Sequence, residues 1–262
     1  MTDPSSTPTN RTEHPISHEP HPPLTEYYAN EKERRGFVGK IFDRTASDYD
    51  RIDRLLAFGS GPWYRNQALQ RAGLKSGMRI VDIGVGTGLV AREAVKLVGD
   101  PQLVIGVDPS VGMMSQADLP GVQLVEGRAE SIPFPDASFD FLSMGYALRH
   151  IGDLSAAFSE FHRVLKPGGR LCLLEITKPE HAWSQFLLKS YMRGVVPVLA
   201  RLVGSSAESA KLWRYYWDTI EACVPPSGVI DTLTNAGFSG AKRHIETPAL
   251  SIFAEYQAVK LG

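Results

Sequence analysis

A glycine-rich segment lies between an apolar run and a helical pattern, and it limits the folds that this chain can adopt. Residues 82–88 read DIGVGTG, follow the apolar run 78–81 and precede the helical pattern 89–98. Glycine has no Cβ, so such a turn lets the backbone approach a ligand closely, and the helix behind it offers unpaired N–H groups. The segment predicts a strand, a tight turn and a helix that together bind a small molecule.

An acidic residue follows at the position where such a molecule would carry a ribose. Asp108 comes directly after the next apolar run, 103–107, and lies 20 positions after Gly88. A carboxylate at the end of the second strand of such a unit binds the two hydroxyls of a ribose. Together, the two features predict a cofactor that contains adenosine.

The glycine spacing and Asp82 indicate which cofactor this is. Dinucleotide-binding proteins use G-x-G-x-x-G to seat a pyrophosphate, whereas Gly84, Gly86 and Gly88 follow the spacing G-x-G-x-G. A carboxylate two residues before the first glycine would repel a pyrophosphate and attract an ammonium or a sulfonium. S-adenosylmethionine carries both of these charges, and we expect it as the cofactor. A dehydrogenase and a glycine turn with a helix-capping aspartate are the alternatives.

Length, charge and cysteine content exclude several classes of protein. A chain of 262 residues with 43% hydrophobic content predicts one domain with a sizeable core. The net charge of −1 predicts no nucleic-acid partner, and two cysteines without a disulfide framework favour the cytoplasm. No run of eighteen apolar residues and no cleavable signal is visible, so no membrane span is expected. No Cys/His cluster has metal-ligand spacing, and no metal is expected.

The chain divides into a polar leader and one domain. Residues 1–24 hold six of the 18 prolines and almost nothing apolar, which predicts a disordered tail. Its histidines, His14, His18 and His21, could bind metal, but an unstructured leader is the favoured interpretation. Residues 25–262 are predicted to form the domain. Within it, 25–74 is a helical cover across the mouth of the cofactor site, and 181–224 is a group of inserted helices.

From residue 75 onward, strand and helix patterns alternate. This alternation predicts an α/β fold with a doubly wound, mostly parallel sheet, whose strands end at one edge where a ligand binds. The last two strands are predicted to be an antiparallel pair. The predicted strands are 78–83, 103–107, 122–126, 139–145, 170–176, 238–246 and 250–259, and the predicted helices between them are 87–98, 110–117, 153–165 and 226–237.

Four motifs in order carry a resemblance to a known class of enzymes. DIGVGTG, VIGVD, GRAESIPFPDASFD and RVLKPGGRLCLLE resemble the motifs of class I S-adenosylmethionine-dependent methyltransferases, over roughly residues 37–259. The segments FDRTASDYDRIDRLLAFG, YALRHI, RVLKPGGRLCLLEITKP and WRYYWDTI resemble, within that class, the ubiquinone/menaquinone biosynthesis C-methyltransferase family. The resemblance implies a Rossmann-like sheet of seven strands whose last strand is antiparallel.

The sequence also departs from that family. Ile52-Asp53 replaces the family's Met-Asn, and Gly61-Pro62-Trp63 replaces its His-x-x-Trp. Gly145 stands where the family has a serine near the cofactor, and Thr177 stands where it has another serine. Several of these changes fall in the elements that would cover the acceptor.

The resemblance implies contacts between named residues and the cofactor. Asp82 would serve the methionyl ammonium, Asp108 the ribose, and the glycine loop the methionyl and ribose parts. Thr87 would donate a hydrogen bond or cap the helix, and the loop after the third strand would wrap the adenine. The predicted cofactor-binding residues are Asp82, Gly84, Gly86, Thr87, Gly88, Asp108, Arg128, Ala129 and Gly145.

Three residues are predicted to act on the acceptor. Arg149 matches the family's arginine; a guanidinium is always charged, so it would stabilise negative charge on a ring oxygen and not act as a base. A structural ion pair is the alternative for Arg149. His150 stands in place of a family asparagine and is a candidate base. Tyr49 would contact cofactor or acceptor, or pack in the core. The nearby rings Trp213, Tyr215, Tyr216 and Trp217 are predicted to line an aromatic pocket or to belong to the core.

The predicted reaction is methylation of a ring carbon of a prenylated quinone or related aromatic compound. The alternatives are an O-, N- or S-methyltransferase acting on a lipid headgroup or small metabolite, and a non-catalytic binding subunit. The expected partner is an aromatic or lipid-soluble small molecule. The amphipathic stretch 182–203 contains Pro197 and is typical of a helix on a membrane surface, a lid or a homodimer face. The expected location is the cytoplasm or its membrane surface.

Overall fold

A single seven-stranded sheet forms the centre of the molecule. The computed structural model describes residues 19–56, 60–198, 207–246 and 252–262. The strand order is β3-β2-β1-β4-β5-β7-β6. The strands are β1 (Ile80–Ile83), β2 (Val104–Asp108), β3 (Gln123–Glu126), β4 (Phe139–Gly145), β5 (Leu165–Ile176), β6 (Phe238–Ile245) and β7 (Phe253–Lys260).

The sheet is parallel except at β7. Strands β1 to β5 pair in parallel, whereas β7 runs antiparallel to both β5 and β6. The predicted mostly parallel α/β sheet with a closing antiparallel pair is confirmed. Strand β5 begins at Leu165, earlier than the predicted residue 170, because Leu165 already pairs with Phe139 of β4. A register irregularity between Phe139 and Phe141 separates this pair from the rest of the ladder.

Helices cover both faces of the sheet, which explains why its central strands are largely apolar. All four residues of β1 and all five of β2 are buried, as expected where both faces are packed. One face carries α2 (Gly61–Ala72) and α3 (Leu89–Val98), and the other carries α5 (Leu154–Val164) and α8 (Pro226–Asn235). Between β2 and β3, α4 spans Val111–Met114, one turn instead of the predicted 110–117.

A third group of helices lies at the carboxyl edge of the sheet. It consists of α1 (Glu31–Leu56), α6 (Ala182–Ser190), a π-helical turn (Tyr191–Val195) and α7 (Ala207–Ala222). Their buried rings form an aromatic cluster that includes Trp213, Tyr215, Tyr216 and Trp217. We refer to this group as the cover. Residues 199–203 of the amphipathic stretch lie outside the described residues, and no described helix is long and apolar enough to cross a membrane.

The segment before α1 packs against the cover. The ring of His21 is buried, its Nε2 lies 3.1 Å from the Arg149 carbonyl oxygen, and Val224 N donates to Pro20 O at 2.7 Å. Composition predicts a tail that ends at residue 24, whereas the chain already contacts the rest of the protein at residues 20 and 21. The His21 ring can be buried there because the Arg149 carbonyl oxygen lies within hydrogen-bond distance. His14 and His18 lie outside the described residues.

Candidate active site

A cleft opens at the carboxyl edge of β1, β2 and β4. Its volume is about 960 Å³, including the part open to solvent. This edge is where parallel α/β sheets bind ligands, since the loops after neighbouring strands meet there. Residues from the glycine loop, the loops after β2, β3 and β4, and the cover line the cleft. Among them are Asp82, Gly84, Gly86, Thr87, Asp108, Arg128, Ala129, Gly145, His150 and Tyr49.

The glycine loop folds as its spacing predicts. Gly84 N and Val85 N both donate to Val107 O of β2, at 2.8 and 3.1 Å, and Gly88 N donates to Val85 O at 2.8 Å, which closes a tight turn after β1. Gly84 has a φ of +66°, and a Cβ there would lie 2.7 Å from the Cβ of Ala147. A side chain at this position would therefore be strained and would clash. Gly88, with a φ of +86°, is the N-cap residue of α3.

Asp82 presents a buried carboxylate to the cleft. The residue is 1% exposed, and Ser143 Oγ donates to its Oδ1 at 2.6 Å. Burial raises the pKa of Asp82 to about 7, because removal from water disfavours the charged form. Across the described residues no ion pair is formed with this carboxylate. A cationic ligand group would compensate it, so the site fits the ammonium of S-adenosylmethionine.

Asp108 lies at the end of β2 with both oxygens held by backbone. Its Oδ2 accepts from Gly86 N at 2.8 Å, and its Oδ1 accepts from Ser110 N at 2.7 Å. Burial raises the pKa of Asp108 to about 6, and these two hydrogen bonds oppose the rise. A carboxylate oxygen has two lone pairs, so each oxygen can accept one further hydrogen bond. The fixed pair of acceptors fits the two hydroxyls of a ribose.

The loop after β3 brings Ala129 and Arg128 to the cleft wall. Ala129 is nearly buried, whereas the Arg128 side chain is half exposed, with its Nη2 3.5 Å from Glu130 Oε1. The same Glu130 oxygen accepts from Gly152 N at 2.7 Å. Glu130 thus fixes this loop to the one before α5, and the Arg128–Glu130 contact is a loose surface pair.

Two carboxylates on α1 fasten the cover to the cofactor loops. Asp50 accepts from the Thr87 hydroxyl through Oδ1 and from Arg92 Nη2 through Oδ2 at 2.8 Å. Asp43 Oδ1 accepts from Ser110 Oγ at 2.5 Å and from Gly112 N at 3.2 Å. We call Asp43 and Asp50 the carboxylate clasp. Their spacing of seven residues, about two helical turns, places them on one face of α1.

The cleft continues into an aromatic chamber walled by the cover. Tyr49 and Tyr216 hydroxyls lie 2.8 Å apart, and Phe42 packs edge-on against His150 at 5.2 Å between ring centroids. The structure thus brings Tyr49 and His150 to the same cleft as the cofactor loops. Of the four predicted pocket rings, Tyr216 lines the cleft. The other three, Trp213, Tyr215 and Trp217, are buried in the aromatic cluster of the cover.

His150 is held as a neutral ring. Its Nδ1 lies 3.3 Å from the Tyr215 hydroxyl, and its Nε2 is buried with no hydrogen-bond partner among the described residues. Burial, followed by the charge of Arg149, lowers the pKa of His150 well below its usual range. The imidazole is therefore uncharged at neutral pH.

Arg149 lies behind the chamber wall and is not among the residues that line the cleft. It is fully buried, forms an ion pair with Glu175 on β5, and donates from Nε to Thr219 Oγ1 on α7 at 3.2 Å. Its Cζ lies 5.2 Å from the centre of the Tyr216 ring. These contacts are those of a structural ion pair, the alternative to a direct role on the acceptor that the sequence left open. Arg149 touches the chamber through its contact with the Tyr216 ring.

Tyr146 is a cleft residue that sequence reasoning missed. It follows β4 with a φ of +59°, a conformation that is rare for bulky residues and that tends to mark functional sites. Arg65 Cζ lies 5.4 Å from the Tyr146 ring centre, and Arg65 in turn donates to Asp53 at 2.9 Å. Burial raises the pKa of Tyr146 to about 12. No sequence pattern signals a positive φ at a tyrosine.

Gly145, which precedes Tyr146, is explained by the lack of room for a side chain at that position. A Cβ on Gly145 would lie 2.5 Å from Val90 Cγ2. The serine of the resembled family does not fit beside this valine. By contrast, the spacing of the carboxylate clasp was visible in the sequence and could have pointed to Asp43 and Asp50.

In sequence, the chain is similar to a known family of methyltransferases. A model of the ubiE/COQ5 methyltransferase family matches residues 28–260. The ubiquinone/menaquinone biosynthesis C-methyltransferase UbiE of Coxiella burnetii (strain RSA 493 / Nine Mile phase I) is 31% identical over 215 residues, which cover 79% of this chain and 85% of that protein. The protein of the same name from Pseudoalteromonas translucida is 29% identical over 216 residues, with the same coverage.

Solved structures share the fold. A SAM-dependent methyltransferase from Thermotoga maritima superposes with a TM-score of 0.59 at 23% identity, covering 84% of this chain and 99% of that one. Phosphoethanolamine N-methyltransferase 2 of Haemonchus contortus, solved with S-adenosyl-L-methionine, gives a TM-score of 0.56 at 21% identity, covering 76% of this chain and 53% of that one. At these identities the likeness concerns the fold alone.

Replacing the Asp82 carboxylate with an amide should separate its effect on folding from its use in binding. Its folded-state pKa of about 7 lies above the reference value of 3.8. Ionisation therefore destabilises the folded state increasingly from about pH 4 to about pH 7, and the loss is constant above that. We expect Asp82→Asn without ligand to exceed the wild type in stability by up to about 4 kcal/mol above pH 7, and to equal it below pH 4. It should also bind S-adenosylmethionine about tenfold or more weakly.

Thermal unfolding across this pH range and calorimetry measure the two effects. Asp140 is the matched control: hydrogen bonds from Lys166 and Arg79 outweigh its partial burial and lower its pKa. Asp140→Asn should therefore lose stability above pH 4 and keep its cofactor affinity. A wild-type pH profile for Asp82→Asn would show that burial does not strain this carboxylate.

Removing one half of the carboxylate clasp should release α1 from the glycine loop. Asp50→Ala leaves Thr87 and Arg92 without their shared acceptor, and a lost charge-assisted hydrogen bond is worth about 1.5–3 kcal/mol. We expect faster amide hydrogen exchange in α1 and cofactor dissociation that is about tenfold faster in stopped-flow measurements. Lys40→Ala, an exposed site on the same helix, is the control. Unchanged dissociation in Asp50→Ala would mean that α1 does not retain the cofactor.

The buried ion pair offers a test of the two interpretations of Arg149. Arg149→Met leaves Glu175 unpaired in the interior and should destabilise the protein by about 3–5 kcal/mol. The double variant Arg149→Met with Glu175→Gln removes both charges and should recover most of that loss in denaturant unfolding. If Arg149 is structural alone, the double variant keeps its turnover. Turnover that stays low at restored stability would instead assign the guanidinium a part in the chemistry.

Proposed function

The chain belongs to the ubiE/COQ5 methyltransferase family and is an S-adenosylmethionine-dependent methyltransferase, and we propose that it methylates a ring carbon of a prenylated quinone precursor. The observation that carries the proposal is the continuity of the cleft. Its cofactor loops open directly into a chamber walled by Phe42, Tyr49, Tyr216 and Tyr146. Aromatic walls favour a flat apolar ring by stacking. The relatives named above are C-methyltransferases of ubiquinone and menaquinone biosynthesis, which supports the same acceptor class.

In this proposal the cofactor half of the cleft binds S-adenosylmethionine, which supplies a methyl group on a sulfonium. Asp82 holds the ammonium, Asp108 accepts from the ribose hydroxyls, and the loop at Arg128 and Ala129 surrounds the adenine. The glycine loop, Thr87 and Gly145 bring backbone against the remaining atoms. Holding two reactants close and aligned removes much of the entropic part of the barrier.

The acceptor half would make the ring carbon nucleophilic. Burial raises the pKa of Tyr49 to about 12, so its hydroxyl stays protonated and can donate to a ring oxygen that carries negative charge. The neutral His150 ring can hydrogen-bond to a second oxygen. Arg149 acts here as a positioning residue, because its Cζ lies 5.2 Å from the centre of the Tyr216 ring, which lines the cleft, and Arg149 itself does not line it. The proton lost from the methylated carbon passes to water.

A prenylated acceptor would also require the enzyme to meet its substrate at a membrane. Each buried CH₂ group of a prenyl chain contributes about 0.8 kcal/mol to partition into lipid, so such an acceptor resides in a membrane. We propose peripheral contact of the enzyme with that membrane, from the cytoplasmic side. A homodimer stays a prediction.

Transfer of labelled methyl groups tests the acceptor. The chain is incubated with labelled S-adenosylmethionine and a short-chain prenylated hydroquinone, with phosphoethanolamine and a phospholipid as competing acceptors. We expect the label on a ring carbon of the hydroquinone. Tyr49→Phe keeps the ring and removes the donor, so it should lower turnover about tenfold or more at unchanged cofactor affinity.

Tyr256→Phe is the matched control, since Tyr256 is buried on β7 away from the cleft. It should keep wild-type turnover. Label in a headgroup or in a polar metabolite would keep the enzyme class and replace the quinone by an O-, N- or S-methyl acceptor. Cofactor binding without transfer to any of these acceptors would contradict the proposed reaction and favour a binding subunit.

A further inference from the structure

The inserted segment carries an apolar face that nothing in the described chain covers. Trp183 and Phe186 are 53% and 70% exposed, and Leu187, Val195 and Val198 are 46% to 55% exposed. These five residues supply most of the large exposed apolar side chains among the described residues. We call them the outer face. A contiguous exposed apolar surface marks a site of interaction with a partner or a membrane.

The segment does not need this face to fold onto the protein. Its opposite side packs through Leu188, Met192 and Val196, all buried, into the same aromatic cluster as Trp213 and Tyr216. A helix on the surface of a globular protein is usually apolar on one side. Here the second apolar side remains in contact with water, at a free-energy cost that a partner would remove.

Charge indicates the chemistry of that partner. Between residues 178 and 198 the chain has three Lys or Arg side chains and one carboxylate, although its net charge is −1. Lys189 and Arg193 lie one turn apart and beside the outer face. Each remains about half exposed while it reaches a carboxylate of α7, Lys189 to Glu221 at 3.1 Å and Arg193 to Asp218 at 3.7 Å. A basic flank beside an apolar face that contains Trp is typical of helices that lie in the interface of an anionic bilayer.

We propose that the outer face docks on the surface of an anionic lipid bilayer, with α6 and the π-helical turn lying in the plane of the interface. The residues behind the face lead to the chamber, because Met192 and Val196 share a cluster with Tyr216, which lines the cleft. The bilayer would then lie on the side of this segment opposite to the aromatic cluster that contains Tyr216. The proposal rests on the proposed function for the identity of the acceptor, whereas the docking itself rests on the outer face.

Vesicle flotation of the full chain tests the docking. Vesicles of phosphatidylcholine are compared with vesicles that also contain phosphatidylglycerol, at low and high salt. We expect binding to the anionic vesicles that weakens at high salt, because screening shortens the range of the attraction. The double variant Trp183→Ser with Phe186→Ser should bind about tenfold or more weakly. Trp63→Ser, which removes an equally exposed tryptophan from α2, should bind like the wild type.

Three outcomes would overturn the proposal. They are absence of binding by the wild type, equal loss in the Trp63 control, and a wild-type dimer in sedimentation that the double variant converts to a monomer. The last would assign the outer face to a second copy of the chain. Methylation of the short-chain hydroquinone in solution is measured in parallel, and the double variant should match the wild type there. Vesicle binding without methylation of any quinone would contradict the proposed acceptor and leave the docking intact.

Discussion

The ion pair between Arg149 and Glu175 is the constraint on which the cover depends. Neither charge is stable alone in the interior, since an unpaired buried ion costs several kcal/mol. The loop after β4 and strand β5 must therefore meet for either charge to be buried, and Thr219 of α7 accepts a further hydrogen bond from the guanidinium at 3.2 Å. The Tyr216 ring rests against the same guanidinium. The acceptor chamber is thus positioned by an interaction outside it.

In the cofactor-binding half of the cleft, by contrast, the buried charges have no partner of opposite charge among the described residues. There the charges are carboxylates that the fold buries without a cation, and Asp82 and Asp108 carry raised pKa values as a result. Such groups lower the stability of the free protein and become favourable when a ligand supplies the missing charge or donors. The two halves of the cleft therefore differ in how their charges are stabilised. The fold itself pairs the charges behind the acceptor half, whereas a bound ligand would have to pair those of the cofactor half.

The fold and the cofactor loops could be predicted from the sequence because both depend on local patterns. Strand periodicity, the glycine spacing and the acidic residue at the end of β2 are readable within short windows. Other features depend on partners distant in the chain and could not be read in this way. The burial of Arg149 needs Glu175, and the Tyr146 N–H, at a residue with a φ of +59°, donates to Leu174 O on β5 at 2.8 Å. The single turn of α4 likewise accepts a partner from another helix, since Gly112 N donates to Asp43 of α1 at 3.2 Å.

The carboxylate clasp has a consequence for the order of events in a catalytic cycle. Asp43 and Asp50 each follow a ring of the chamber wall, Phe42 and Tyr49, so one helix carries contacts to the cofactor loops and half of the acceptor wall. The acceptor chamber is complete when α1 is seated on the loops, and displacement of α1 to exchange the cofactor would dismantle that wall. Release of the methylated product and of the spent cofactor would then be parts of one motion, and the enzyme would reset both sites together after every turnover.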